Sequence, residues 1–102
     1  MMDRRPELQM RLEEILGTKN VYYQPPESIK MQYDAIRYSR KNIQTRFANN
    51  ASYNTKSCYE IILIARRPDS PIIKQLLALP YCSYDRHYYS DNLNHDVFTL
   101  YY

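Results

Sequence analysis

The chain has one glycine in 102 residues, Gly17, no tryptophan, and two cysteines, Cys58 and Cys82. A single glycine leaves no glycine-rich loop whose backbone amides could close around a phosphate, and a large group of nucleotide enzymes is excluded with it. No stretch approaches the roughly 18 apolar residues of a membrane helix. The opening MMDRRPELQM lacks the apolar run of a signal peptide. A protein that stays in a cytosol-like compartment is expected, and there one cysteine pair in a core-forming chain reads as two reduced thiols rather than a bridge. An excess of one charge is missing too. With 14 basic and 11 acidic residues the net charge is +3, too even for a dedicated nucleic-acid or membrane-surface binder.

What is present is tyrosine, 12 in all, a side chain that buries a flat body while its hydroxyl stays wet and that suits protein interfaces and base stacking alike. The charge is also unevenly placed. Residues 37–67 carry Arg37, Arg40, Lys41, Arg46, Lys56, Arg66 and Arg67 against one acid, Glu60, a net +6, while residues 1–36 sum to −1 and residues 68–102 to −2. The length fits one domain, 1–102, with a single modest core.

Residues 6–16, PELQMRLEEIL, place Leu8, Leu12, Ile15 and Leu16 on one stripe of an amphipathic helix. Pro6 suits its first turn, Glu7 its positive dipole end, and Gly17 a left-handed cap at its close. Val21, Tyr22 and Tyr23 predict a short strand that stops before Pro25 and Pro26, where the chain turns a corner. The run MQYDAIRYS at 31–39 alternates, with Tyr33, Ala35 and Arg37 on one side and Asp34, Ile36 and Tyr38 on the other, and predicts a second strand.

Residues 39–56 are polar, with Asn49 and Asn50 as turn formers and Ile43, Phe47 and Tyr53 as the large apolar anchors. Structureless loops of this length are uncommon in compact domains. The expectation is a long hairpin arm over approximately 40–56, with an unstructured loop as the alternative. CYEIILIA at 58–65 is the most apolar run and the expected centre of the sheet, with both faces covered. In PDSPIIKQLLALP, Ser70 reads as an N-cap, Pro71 as the first helical residue, Ile72, Ile73, Leu76 and Leu77 as the buried side and Pro80 as the stop. Two final strands, 82–89 and 97–102, are expected around a turn at 90–94. The order α-β-β-β-α-β-β predicts an α+β fold, an antiparallel or mixed sheet of about five strands with two helices packed on it.

Asp85, His87, His95 and Asp96, close together on the last hairpin, are the candidates for acid-base or metal chemistry. The spacing carries no metal-ligand pattern, and imidazoles near strand ends more often bond a backbone carbonyl or a carboxylate such as Asp85. Cys82 and His87 do not read as a nucleophile and base, since positions five apart on a regular strand lie on opposite faces. No catalytic, cofactor-binding or metal site is expected, and the chain is not expected to be an enzyme. A small single-stranded nucleic-acid binding module using tyrosine stacking is the alternative reading. Against it, the tyrosine-rich strands carry the acids and the basic residues lie elsewhere.

The uneven charge suits assembly, because a head-to-tail contact joins two different patches and closes into a ring when the rotation allows. Arg40, Lys41, Arg46, Phe47 and Tyr53 on the arm, with Arg66 and Arg67 at the sheet edge, are the candidate subunit interface. NVYYQPPESIKMQYDAIRYS at 20–39 and RRPDSPIIKQLLALPYCSYDRHYYSDNLNHDVFTLYY at 66–102, with the helix ahead of them, resemble the tail terminator (tail-completion, head-tail joining) family of long-tailed bacteriophages. The arm is the part that varies. This resemblance implies a structural virion protein, assembled in the host cytoplasm, that forms a ring, expected to be hexameric, at the head-proximal end of the tail. Its partners would be the tail tube protein, whose polymerisation it stops, and the head-completion or connector protein. DNA would pass through the lumen without sequence-specific binding, with no membrane and no cofactor involved. Cations lining that lumen would hold DNA phosphates, so Arg40 to Arg46 are expected between subunits.

Overall fold

A computed structural model describes residues 4–26, 28–48 and 51–102, with side chains described outside 42–56. Seven elements follow in the expected order: α1 (Arg5–Leu16), β1 (Val21–Tyr23), β2 (Ala35–Ala48), β3 (Ala51–Ala65), α2 (Ile72–Leu77), β4 (Cys82–Ser90) and β5 (Leu93–Tyr101). The strands form one sheet in the order β1-β2-β3-β5-β4. β1 pairs with β2 in parallel and every other neighbour is antiparallel, so the sheet is mixed.

Both helices lie on one side of this sheet. Leu8 and Leu12 of α1 and Leu76 of α2 are fully buried against Ile36 and Tyr38 of β2, Tyr59, Ile61, Leu63 and Ala65 of β3, and Phe98 and Leu100 of β5. The alternation of residues 58–65 holds, and both of its faces are covered, though unequally: Tyr59, Ile61, Leu63 and Ala65 are buried under the helices, and on the other face Cys58 and Ile64 are buried while Glu60 and Ile62 are half-buried. Among the described residues no helix stands on the other side, which carries Tyr22, Arg37, Glu60, Ile62, Val97, Thr99 and Tyr101. Tyr22 accepts the Gln32 N–H with its hydroxyl at 3.2 Å, so the chain returning to β2 runs past this helix-free side.

Local chemistry explains the element ends. Gly17 sits at φ 82° and its N–H bonds the Glu13 carbonyl at 2.8 Å, a left-handed cap that glycine adopts without steric cost. Ser70 Oγ accepts the Ile72 N–H at 3.2 Å, which makes it the working cap of α2. Leu77, expected in the core, is 41% exposed, and Leu79, one residue past the cap, is buried in its place. The short helix ends before its stripe comes round again. The last turn is tighter than 90–94: Asp91 and Asn92 alone, at φ 54° and 63°, connect β4 to β5 as a two-residue hairpin turn of type I′.

β2 starts at Ala35, later than expected. Asp34 lies outside the strand, and its Oδ1 accepts the Arg66 N–H at 3.0 Å, tying the start of β2 to the exit of β3. β2 and β3 then stay paired far beyond their neighbours. β1 reaches only Tyr38 and β5 only Cys58, while the β2–β3 ladder continues to Ala48 and Ala51. The arm is therefore a two-stranded ribbon of about 23 Å at strand rise, and the molecule measures 50 × 25 × 22 Å. Asn49 and Asn50, its expected turn, lie outside the described residues.

Candidate functional site

The interface residues read from the sequence fall into two groups at opposite ends of the sheet. Arg40 and Lys41 stand exposed where the arm leaves the body, and Lys41 is the extra residue of a bulge, since Arg40 pairs with Tyr59 and Asn42 with Cys58. Arg66 and Arg67, also exposed, follow the last residue of β3. Seven strand positions separate the row of Tyr59 from Arg66, about 23 Å. The expectation that Arg66 and Arg67 lie at a sheet edge is corrected, because β3 is the middle strand of five and they leave its end. Arg46, Phe47 and Tyr53 have main-chain positions on the ribbon, and their side chains lie outside the described residues. A net charge summed along the sequence treats residues 37–67 as one patch. An extended hairpin spreads them along its length instead.

The polar residues of the last hairpin are placed by a bulge in β4. Tyr84 pairs with Phe98 and Arg86 with Val97, so one extra residue shifts the alternation. Cys82 (opposite Leu100) and His87 (opposite Asp96) consequently share the helix side, contrary to the regular-strand expectation. They still cannot act together. Four rungs, about 13 Å, lie between them. Burial, with the Asp85 carboxylate adding, also pushes the Cys82 thiol up to about 11, so it is mostly un-ionised near neutrality.

Each remaining group already has structural work. Tyr84 donates its hydroxyl to Asp96 Oδ1 at 2.7 Å, and its own ionisation is pushed up to about 12 by desolvation, the bond to Asp96 and that residue's charge. Asp96 is 3% exposed and its Oδ2 has no partner. His87 Nε2 lies 3.0 Å from Asn94 Oδ1, and Asn94 Nδ2 donates to the Arg66 carbonyl at 3.4 Å. His95 Nδ1 lies 3.1 Å from the Leu93 carbonyl, and its ring stacks on Tyr88 with centroids 4.5 Å apart. Asp85 lies on the helix-free side, where its Oδ2 accepts the Thr99 hydroxyl at 2.7 Å. The two histidines thus point to opposite sides of the sheet. Among the described residues no group of three or more His, Cys, Asp or Glu could hold a metal ion.

A second polar cluster, which sequence reasoning missed, joins α1 to the sheet. Tyr38 is 1% exposed, and its hydroxyl donates to Gln9 Oε1 at 2.5 Å, while Gln9 Nε2 donates to the Val21 carbonyl and to Glu13 Oε2, both at 3.0 Å. The Arg5 guanidinium lies 4.5 Å from the centre of the Tyr23 ring, which packs on Tyr38. Burial raises the Tyr38 hydroxyl above the usual tyrosine range, although a hydrogen bond and the charge of Arg5 oppose it. The available signal was a glutamine one residue past Leu8 in a helix stripe facing a tyrosine-rich strand. On the other flank of α1 a cleft of ≈360 Å³ opens between Arg4, Glu7, Arg11, Tyr81 and Tyr102. Arg4 is already engaged there by Glu7 at 3.4 Å and by the Tyr102 ring at 4.2 Å.

The exposed tyrosines do not line up as a stacking row. Tyr84 and Tyr89 lie on the helix side and Tyr88 on the helix-free side. Tyr101 shares the side of Tyr88, but Tyr88 faces His95, six residues and about 20 Å along β5. No family model matches the chain, and no curated protein matches its sequence.

Proposed function

We propose that this chain is a structural assembly protein, a tail terminator or closely related neck protein of a long-tailed bacteriophage, that closes into a ring and caps a tube. The observation that carries this reading is the ribbon. Beyond Tyr38 of β2, where β1 stops, and Cys58 of β3, where β5 stops, its rows pair only with each other among the described residues, and its segment 40–57 holds four basic residues and no acid. A ribbon of this kind adds little to its own core and presents two strand edges and positive charge to a neighbour. The acid-rich flanks supply the opposite sign for a head-to-tail contact, the type that closes into rings. The resemblance to tail terminators supplies the rest: a ring of six, a tail tube protein below, a connector protein above, and DNA passing through.

The test is the native mass of the full chain across a concentration series at low and high salt, with images of the heaviest species. A closed ring of about six subunits that loosens with salt is the expected result. Deleting residues 42–54 should leave a folded chain, with 55–57 as the turn between Lys41 and Cys58, that no longer forms rings. Rings that persist without these residues would remove the arm from the interface. Retention of single-stranded oligonucleotides at low salt, lost when Tyr88 and Tyr101 become alanine, would favour the nucleic-acid module instead.

A further inference from the structure

β4 is an outer strand, and eight of its nine residues are exposed. The Tyr101 N–H bonds the Tyr81 carbonyl, which sets the alternation of the ladder. Ser83, Tyr88 and Ser90 turn their main-chain groups toward β5, and Tyr84, His87 and Tyr89 turn theirs outward, with the carbonyl of Cys82. The Cys82 N–H is already taken by Leu79. The opposite edge differs: β1 is three residues long, and the Val21 carbonyl accepts a bond from Gln9. Soluble proteins blunt long open edges with proline, lysine or a covering element. β4 has no proline or lysine, and its charges are the adjacent Asp85 and Arg86.

The bulge makes this edge self-complementary. Cys82, Tyr84, His87 and Tyr89 fall on the helix side, and Ser83, Asp85, Arg86 and Tyr88 on the helix-free side. Both sets are symmetric about the midpoint between Asp85 and Arg86. A regular strand turned onto its own copy about such a midpoint would oppose residues from opposite faces, which antiparallel pairing forbids. The extra residue removes the conflict, and both copies have two residues between Tyr84 and His87, so their spacing matches. Tyr84 and His87, whose main-chain groups face outward, then exchange hydrogen bonds with His87 and Tyr84 of the second copy. Asp85 stands opposite Arg86 of the second copy, twice per contact.

We propose that β4 is a two-fold edge along which a second copy of this chain pairs antiparallel, with Tyr84 opposite His87 and Asp85 opposite Arg86, joining two five-stranded sheets into one of ten strands. This contact is isologous and does not rest on ring closure.

Sedimentation of the full chain tests the charge pairs. D85R or R86D alone is expected to raise the dimer dissociation constant at least about tenfold, because each reversal puts like charges opposite one another twice. The exchange variant D85R/R86D, which also loses the Thr99 bond, is expected to return to within about threefold of the native value. A second experiment reads the register in a Cys82→Ser background. A mixture of the Ser83→Cys and Tyr88→Cys chains is expected to give an oxidised dimer, and neither chain alone should. A native chain that stays monomeric, a dimer indifferent to the reversals, or the absence of the mixed cross-link would each overturn the pairing. Rings unaffected by the β4 substitutions but lost on removal of residues 42–54 would overturn it and leave the capping function standing. A dimer that passes both tests and never forms rings would establish the edge and remove the capping function.

Discussion

Single side chains here carry more than their exposure indicates. Tyr84 is 42% exposed, yet its hydroxyl bonds one oxygen of the buried Asp96 carboxylate, whose other oxygen has no partner. Tyr84→Phe should therefore cost about 1–3 kcal/mol, the penalty of an unsatisfied buried acceptor, rather than the few tenths usual for a surface ring. Urea unfolding of the variant measures it. Cys82 offers a test without any substitution. With its thiol pushed up to about 11, it should react with an alkylating reagent at pH 8 about a hundredfold more slowly than an unhindered cysteine. Asp85→Asn removes the neighbouring charge and should speed the reaction. A rate equal to that of a free thiol would mean that the site is wetter than its burial implies.

At the scale of elements, much was legible because the signals are local. The stripe of Leu8 and Leu12, the cap at Gly17, the stop at Pro25 and the cap at Ser70 all act within one or two turns of chain. The Asp91-Asn92 turn is another such case, and it is suboptimal. Both residues occupy the left-handed region, where glycine in second position is preferred. Asn92→Gly should stabilise the fold by about 0.5–1 kcal/mol and raise Tm by roughly 2–6 °C. A calorimetric scan decides it. The bulge at Asp85 was not legible. A strand that alternates YDRHYY reads as regular until its partner's register is known, and the extra residue is what turns His87 to the side of Cys82.

The whole molecule responds to alkali through groups in different places. Tyr84 is raised by desolvation and Asp96, Tyr38 by burial, and Tyr101 first by its hydrogen bond to Cys58. An unfolded tyrosine ionises near pH 10. Above that pH the unfolded chain has released protons that the fold retains, so their contribution is fully present below about pH 10 and is lost as pH rises toward 12. Cys82, whose thiol is pushed up to about 11, starts the decline earlier, because an unfolded thiol ionises at about pH 8.5. Urea midpoints should be flat near pH 7, begin to fall above about pH 8 and fall more steeply between pH 10 and 11.5, with a shallower fall in Tyr84→Phe. A flat profile would place these hydroxyls in water. At this scale too the arm and the body separate: among the described residues the rows past Cys58 have no third strand, so removing 42–54 should leave the core's unfolding free energy nearly unchanged while assembly is lost.

Periodicity, caps and turn residues determined the element order and the helix-side stripe of β3, because each is a preference of a few neighbouring residues, and the choice between a hairpin arm and an unstructured loop came from the ladder of β2 with β3. Strand order, the parallel pairing of β1, the single-sided placement of both helices and the separation of Arg40 from Arg66 came only with the tertiary structure. Those depend on which distant segments share a ladder, and one bulge or one return past a sheet face changes the answer without changing any local preference. The candidate interface was legible as composition, a basic polar segment in a small tyrosine-rich domain. The open edge of β4 and its two-fold pattern needed the register.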